Sequence, residues 1–534
     1  MGNGSRVENS LKNFSSGVAS RIVTLLLGFV VRTVFIKTLN DAYLSVNGLF
    51  SGIFGMLSLA ELGFGTAMVY SMYRPLAEKD EGKLAALLRL YQKVYIVIGF
   101  VVFGIGLCLI PFMGYLIKNP PDLPPFVITL PFMTLEVPQL TFYYLLSLAN
   151  SAMSYWFWGY KRSVLSADQK EYIVTNYQTI LTIARSVLQI VILLVLKDFT
   201  MYLLLQLGAT IVGNIMVARK AEKMYPALKR RDVPPLTKEE KAKISKDVGS
   251  LAITRIGHVA LSSTSTVLIS AIVGFSFVGL LSNYNMITEA LVGVLTMLTG
   301  AISASLGNYF VERSKEDSYT LFRNVEFINS WLYGICSICL LILLNPFITL
   351  WIGEEYLLST PTVIAIVLNF FVSGYMNVLW TFRSSLGLFT QGWFRPLIVA
   401  GLNIGLSFLL GHFFGLFGIL ISNFLARAMV NVWYDPIVIH KYGFDKSTAP
   451  FFISYVWRIL QIVLTAGVLA VAKHFLLRGG VTVWRFILLM LLTGVVSVGS
   501  FWVVNRKRPE TLYFCSLVKD KLGTFLRRKD RTSK

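Results

Sequence analysis

Runs of about twenty apolar residues recur along the whole chain, separated by short polar segments. A helix of that length crosses the hydrocarbon core of a bilayer. The runs lie at 17–36, 44–72, 94–117, 137–158, 172–196, 199–218, 248–273, 278–304, 324–351, 359–382, 396–413, 415–438, 451–472 and 482–504. They predict an all-α polytopic membrane protein with about fourteen transmembrane helices. The fifth and sixth runs, and the eleventh and twelfth, are the least sharply separated pairs. The first run contains Arg32 and no small-residue cleavage site follows it, so it reads as a retained span.

The polar segments alternate in charge. With the N-terminus placed inside, 37 of the 49 lysines and arginines fall in inside segments and five in outside ones. Seven arginines remain within the runs. By the positive-inside rule this predicts both termini on the cytoplasmic side and an even number of spans. The outside segments are short, and the longest, 118–136, is rich in proline and expected to lie along the membrane interface.

Composition agrees. Hydrophobic residues make up 55% of 534 and charged residues 14%, with a mean hydropathy of +0.65. A soluble domain carries about a quarter charged residues. The net charge of +21 would suggest nucleic acid in a soluble protein. Here the basic residues sit in loops, so they read as topology and attraction to anionic lipid, and no nucleic acid is expected. Cys336 and Cys339 form a C-x-x-C without a second pair or histidines near it, and read as helix packing. No nucleotide-binding glycine loop occurs, and no cofactor or metal is implied.

Three short matches recur in the same order. Ser20-Arg21-Ile22 pairs with Thr254-Arg255-Ile256, and Lys79-Asp80-Glu81 with Lys315-Glu316-Asp317. Arg162-Ser163-x-Leu165 followed by Gln169 pairs with Arg383-Ser384-x-Leu386 followed by Gln391. Together they predict a six-span duplication with both copies in the same orientation. The chain then divides into a six-helix lobe at 1–218, a basic cytoplasmic linker at 219–247, a second six-helix lobe at 248–440, two additional helices within 451–504 and a basic tail at 505–534.

Polar residues recur at helical spacing inside several spans. Span 1 carries Gly17, Arg21, Thr24, Gly28 and Arg32, and span 2 carries Asn47, Ser51, Ser58, Glu61 and Gly65. Span 7 carries Arg255, His258, Ser262 and Ser265, and span 8 carries Ser282, Asn285, Glu289, Thr296 and Ser303. A charge at the bilayer centre costs about 2.5–3.5 kcal/mol on the lenient scale, so such residues face protein or a wet cavity. Single serines and threonines, and His258, serve equally well as helix-packing groups, and Glu61 equally well neutralises a nearby arginine. Arg21, Arg32, Glu61, Arg255, His258, Asn285 and Glu289 are the candidate substrate-binding residues of a cavity lined by spans 1, 2, 7 and 8. Arg185, with Thr182 and Gln189, and Arg427, with Asn423 and Asn431, also lie mid-span. Arginine exceeds carboxylate on these faces, and guanidinium suits phosphate, so the expected substrate is anionic, a phosphate or diphosphate.

Several segments carry a resemblance. Glu61-Leu62-Gly63-Phe64-Gly65-Thr66-Ala67, Tyr160-Lys161-Arg162-Ser163 with Ala167-Asp168-Gln169-Lys170, and Trp433-Tyr434-Asp435-Pro436 resemble polysaccharide-biosynthesis flippases of the multidrug/oligosaccharidyl-lipid/polysaccharide exporter superfamily, of O-antigen or exopolysaccharide type. The resemblance in span count and order runs over nearly the whole chain. It implies two six-helix lobes in a V, alternating access, and a lipid-linked oligosaccharide on undecaprenyl diphosphate as substrate. It further implies a bacterial cell membrane, with a coupling cation and polysaccharide-assembly proteins as candidate partners. Three alternatives stand beside it. A membrane glycan polymerase or ligase would be expected to present a sizeable charged outside loop, a multidrug exporter would want carboxylates in its cavity, and a scaffold or channel would need no duplicated lobes.

Overall fold

The computed structural model describes residues 3–516 apart from positions 40, 62, 119–125, 131–132, 230–234 and 389; in some stretches, 253–258 among them, only the backbone is described. The main helices are α1 (Asn3–Thr38), α2 (Asp41–Leu57), α3 (Phe64–Glu78), α4 (Glu81–Leu109), α5 (Gln139–Trp156), α6 (Arg162–Ala167), α7 (Glu171–Val195) and α8 (Phe199–Met224). They continue as α9 (Lys238–Leu268), α10 (Phe275–Glu312), α11 (Lys315–Trp351), α12 (Thr360–Ser385), α13 (Arg395–Val438), α14 (Ala449–Leu476) and α15 (Val483–Asn505). A 3-10 turn, Ser58–Glu61, links α2 to α3.

Eleven helical segments among the described residues are long and apolar enough to cross a membrane, and the chain is a multi-pass membrane protein. The difference from fourteen has a local cause. One segment, Arg395–Phe444, has double length and is broken at Gly415, whose φ of 58° and ψ of −135° lie outside any helix. The chain reverses there: a Cβ on Gly418 would stand 1.9 Å from the carbonyl oxygen of Leu410, where eight helical residues would separate the two by about 12 Å. Of the other two spans, α5 carries Gln139, Asn150 and three serines and so reads as less apolar, and in α9 the described residues leave the shorter apolar segment Ser263–Val273. The boundary between the fifth and sixth runs is equally physical. Lys197 adopts φ 51°, and the Asp198 carboxylate caps α8 by accepting from the amides of Thr200 (2.6 Å) and Met201 (3.1 Å).

Two loop segments gain detail. The proline-rich segment contains a β-hairpin, β1 (Phe126–Leu130) against β2 (Met133–Val137), antiparallel with Phe126 opposite Val137 and Leu130 opposite Met133. Its alternating β-branched residues were masked by the flanking prolines. The basic segment 219–247 is partly helical, as its expected place on the membrane surface suggests. The α9 helix starts at Lys238 behind a capping box formed by Thr237 and Glu240, and Lys83 at the start of α4 holds the Glu240 carboxylate at 2.7 Å. That contact, with the Thr237 amide, lowers the Glu240 pKa below its ordinary value.

The chain divides into two compact units, Met1–Ser282 with Pro396–Ile419, and Asn283–Arg395 with Leu420–Lys534. The first has a core of Met68, Met72, Leu87, Val164, Val174 and Ala221. The second centres on Phe322, Leu379, Phe382 and Ile439, with a further cluster of Ile338, Leu469, Leu489 and Phe501 between α11, α14 and α15. Outward rows such as Val187, Val191 and Val195 on α7, or Val495 and Val498 on α15, are exposed and apolar, as lipid contact requires.

Candidate functional site

In the first unit, spans 1, 2, 7 and 8 do meet. The Arg32 guanidinium on α1 donates to the Ser282 hydroxyl on α10 at 2.8 Å. One face of α2 presents Gly48, Gly52 and Gly55 to α9 and α10. A Cβ there would lie 2.9 Å from Val278, 2.9 Å from Thr266 and 2.3 Å from Ser263. Such a row of small residues lets helix backbones approach closely where lipid gives no hydrophobic drive. At this level α2 packs directly on α9 and α10, and α1 reaches α10 through Arg32.

The polar stripe of α2 points elsewhere. Asn47 and Ser51, with Phe50 and Phe54, line a cavity of about 400 Å³ against Ser147, Asn150, Ser151 and Ser154 of α5 and Gln206 and Thr210 of α8. These groups are uncharged donors and acceptors beside aromatic rings, and the Asn150 side-chain oxygen is buried without a hydrogen-bond partner. The cavity lies wholly among the first six spans.

Arg32 has a second neighbour that sequence spacing did not reveal. Tyr202 of α8 stands within electrostatic reach of both Arg32 and Arg185 and hydrogen-bonds Gln189; its ring packs on Phe35 and Phe199. The α1 and α7 helices are pinned side by side by Thr179 donating to Ser20 (2.7 Å) and by Asn13, which accepts from the Tyr172 amide (2.7 Å). The arginines of spans 1 and 5 therefore converge on one tyrosine. Arg21 is partly buried on the same helix as Arg32, with its Nε out of water.

Glu61 ends the 3-10 turn and accepts a hydrogen bond from Tyr95 (3.0 Å), which in turn accepts from Tyr91 (3.1 Å). Its partner is thus a tyrosine rather than an arginine. Gly65 makes room for this cluster, since a Cβ there would meet the Glu61 carboxylate at 2.6 Å. Arg255 and His258 fall on α9 where side chains lie outside the described residues. Asn285 and Glu289 fall in the second unit, on α10, where Asn285 is partly buried and Glu289 exposed. In that unit Arg427 donates to Ser373 at 2.6 Å. There too, an apolar groove of about 430 Å³ runs between α11, α12, α13 and α14, lined by residues such as Leu341, Phe371, Val432, Ile459 and Val463.

The motifs that carry the family resemblance form ion-pair clusters at helix ends. Asp435 lies between Arg383 (2.6 Å) and Arg395 (2.8 Å), all three buried. Arg383 also holds the carbonyls of Leu388 and Gln391, and Arg395 stacks on Tyr434 at 4.5 Å. In the first unit Lys161 pairs with Glu222, and Asp168 is held by Lys170 (2.6 Å) and the Tyr225 hydroxyl (2.5 Å). These residues close the loops after spans 4 and 10.

No protein-family model matches the sequence, and no curated protein matches it. Solved structures do. An inward-facing multidrug resistance MATE family transporter of the MOP superfamily matches at TM-score 0.59 and 13% identity, over 79% of this chain and 97% of that one. The lipid II flippase MurJ in an inward closed conformation matches at TM-score 0.61 and 13% identity, over 94% of this chain and 99% of that one. The Vibrio cholerae MATE transporter VcmN matches at TM-score 0.53 and 16% identity, over 84% and 99%. The chain has the fold of these transporters.

Proposed function

We infer that the protein is a flippase that moves a lipid-linked oligosaccharide of undecaprenyl-diphosphate type from the inner to the outer leaflet of a bacterial cell membrane, by alternating access, for cell-surface polysaccharide synthesis. The observation that carries this reading is the reach of the flippase match. The two C-terminal helices with the tail (residues 449–534) form a larger share of the chain than that match leaves out, so the match extends into them. The first of these helices, α14, walls the apolar groove, whose shape and lining suit a prenyl chain. Within the first unit, Arg32 and Arg185 at Tyr202 suit phosphoryl oxygens, and the uncharged α2–α5–α8 cavity with its phenylalanines suits sugar rings. Arg21, Arg255, His258, Asn285 and Glu289 remain candidate contacts from the sequence, and both termini are taken as cytoplasmic.

The test is reconstitution in liposomes with a fluorescent undecaprenyl-diphosphate oligosaccharide, following leaflet exchange for wild type, Arg32→Ala and Arg255→Ala. Exchange by wild type that collapses in both variants at equal protein supports the reading. Wild-type exchange that neither change affects removes these arginines from the site. Multidrug export is the second reading, favoured by the MATE match of nearly equal TM-score. It requires efflux of cationic compounds and no exchange of the glycan lipid.

A further inference from the structure

Among the intramembrane arginines with described side chains, Arg32, Arg427 and Arg458 each have a hydrogen-bond partner: Ser282, Ser373 and Glu326. Arg185 differs. Its Nε is buried without a hydrogen-bond partner, and among the described residues no carboxylate pairs with it. An uncompensated guanidinium at this depth is costly, and a charge kept there is expected to face a partner or a wet cavity.

The surroundings of Arg185 supply such a cavity. Val174, Gln178, Leu181, Thr182 and Arg185 share one face of α7, and Ala209, Thr210, Gly213, Asn214 and Val217 share one face of α8. Between them lies a groove of about 290 Å³. The eleven helical steps from Val174 to Arg185 rise about 16 Å along the axis, so the groove is elongated. Its far end is closed by Trp158 and Gly159 in the turn before α6 and by Arg162 at its start. Two guanidinium groups, two amides and two hydroxyls line it, and no carboxylate does. Glu171 approaches Arg162 at 3.4 Å, but from a position with both side chains substantially exposed and outside the lining. Gly213 keeps the wall open, since a Cβ there would come 3.1 Å from Leu181.

We propose that the α7–α8 groove is an anion-binding site for a phosphoryl group, with Arg185 and Arg162 as its charged ligands and Gln178, Thr182, Thr210 and Asn214 as neutral hydrogen-bonding groups. Forked donors of fixed geometry match phosphoryl oxygens, and the absence of a lining carboxylate leaves the site net cationic. The site does not depend on the protein being a flippase. Its inner end is Arg185, which shares Tyr202 with Arg32, so a phosphoryl group held here stands next to Arg32 of span 1.

The experiment uses the purified full-length protein in neutral detergent at low ionic strength. Inorganic pyrophosphate is titrated calorimetrically, and phosphatidylglycerol retention is followed by native mass spectrometry. Saturable binding of pyrophosphate alone assigns a free phosphate. Retention of phosphatidylglycerol that pyrophosphate displaces assigns a lipid headgroup. In either case Arg185→Gln is expected to weaken binding at least about tenfold, the loss of one charge-assisted hydrogen bond. Gly213→Leu, which fills the groove and removes no charge, weakens it similarly, and Lys79→Gln on another surface leaves it unchanged. If Arg185→Gln does not fold, the Gly213→Leu and Arg162→Gln results decide. Binding that survives filling the groove, a loss as large in Lys79→Gln, or no saturable binding of either probe by wild type overturns the proposal.

Discussion

Charged residues within the spans fall into two kinds. Some are neutralised where they lie. Arg458 of α14 donates to Glu326 of α11 at 2.8 Å with both side chains buried, which ties the added C-terminal helices to the second unit. Breaking a buried pair leaves an unpaired charge that costs about 3–5 kcal/mol, whereas replacing both members by apolar groups is often neutral. Arg458→Met is therefore expected to lower the denaturation midpoint in detergent sharply, and Arg458→Met with Glu326→Met to restore most of it. A double variant no better than the single one would show that the pair is not the unit of stability. Others, such as Arg32 and Arg427, donate to a serine hydroxyl rather than to a carboxylate. At the α9 start, Glu240 illustrates the surface case. Its pKa is lowered by Lys83 and the Thr237 amide, so its contribution is present above the unfolded carboxylate value and is lost as pH falls through the folded one. The stability gap between wild type and Glu240→Gln should be seen at pH 7 and close as pH falls below the ordinary carboxylate value; a gap that persists in acid excludes the ion pair as its origin.

Helix boundaries and helix faces were legible to different degrees. Long apolar runs with caps are strong signals, and each of the fourteen runs in the sequence corresponds to a helix or half-helix, including those separated at Asp198 and Gly415. The hairpin was hidden because prolines dominate its segment. The site was legible only in part, for a geometric reason. Adjacent residues on a helix point about 100° apart, so Asn47 and Ser51 face α5 and α8 while Gly48 and Gly52 face α9 and α10. A stripe of polar residues names a face but not the neighbour it meets. The glycines, spaced four and three apart, carried that information and were read only as span residues. The reversal at Gly415 gives a direct test at this scale. The Gly418 Cβ would collide with the backbone oxygen of Leu410, which cannot rotate away as a side chain can. Gly418→Ala is expected to cost about 1–3 kcal/mol, the range for overpacking, and to lower the thermal midpoint, whereas Gly401→Ala, where a Cβ meets nothing within 4 Å, leaves it unchanged.

For the whole molecule, the flippase reading has an electrical consequence that does not depend on which residues touch the substrate. Over a complete cycle the protein and all its arginines return to their starting positions, so only the charge of the cargo and of any coupled ion has crossed the membrane. An inside-negative potential then drives a diphosphate outward by about 2.3 kcal/mol per uncompensated charge per 100 mV, and no nucleotide is needed. In liposomes carrying a potassium gradient, adding valinomycin to set the interior negative should move the labelled lipid toward the outer leaflet beyond equal partition, for proteins inserted in either orientation. Dissipating the potential should return it to equal partition at a rate set by the protein. Arg32→Ala should slow both relaxations and leave the final distribution unchanged, because a transport residue alters the barrier and not the charge moved. A distribution indifferent to potential, with exchange still protein-dependent, would mean that a coupled cation crosses with the lipid and cancels its charge. Repeating the measurement with sodium replaced, and then with the pH stepped across the membrane, identifies that ion by which gradient takes over as the driving force.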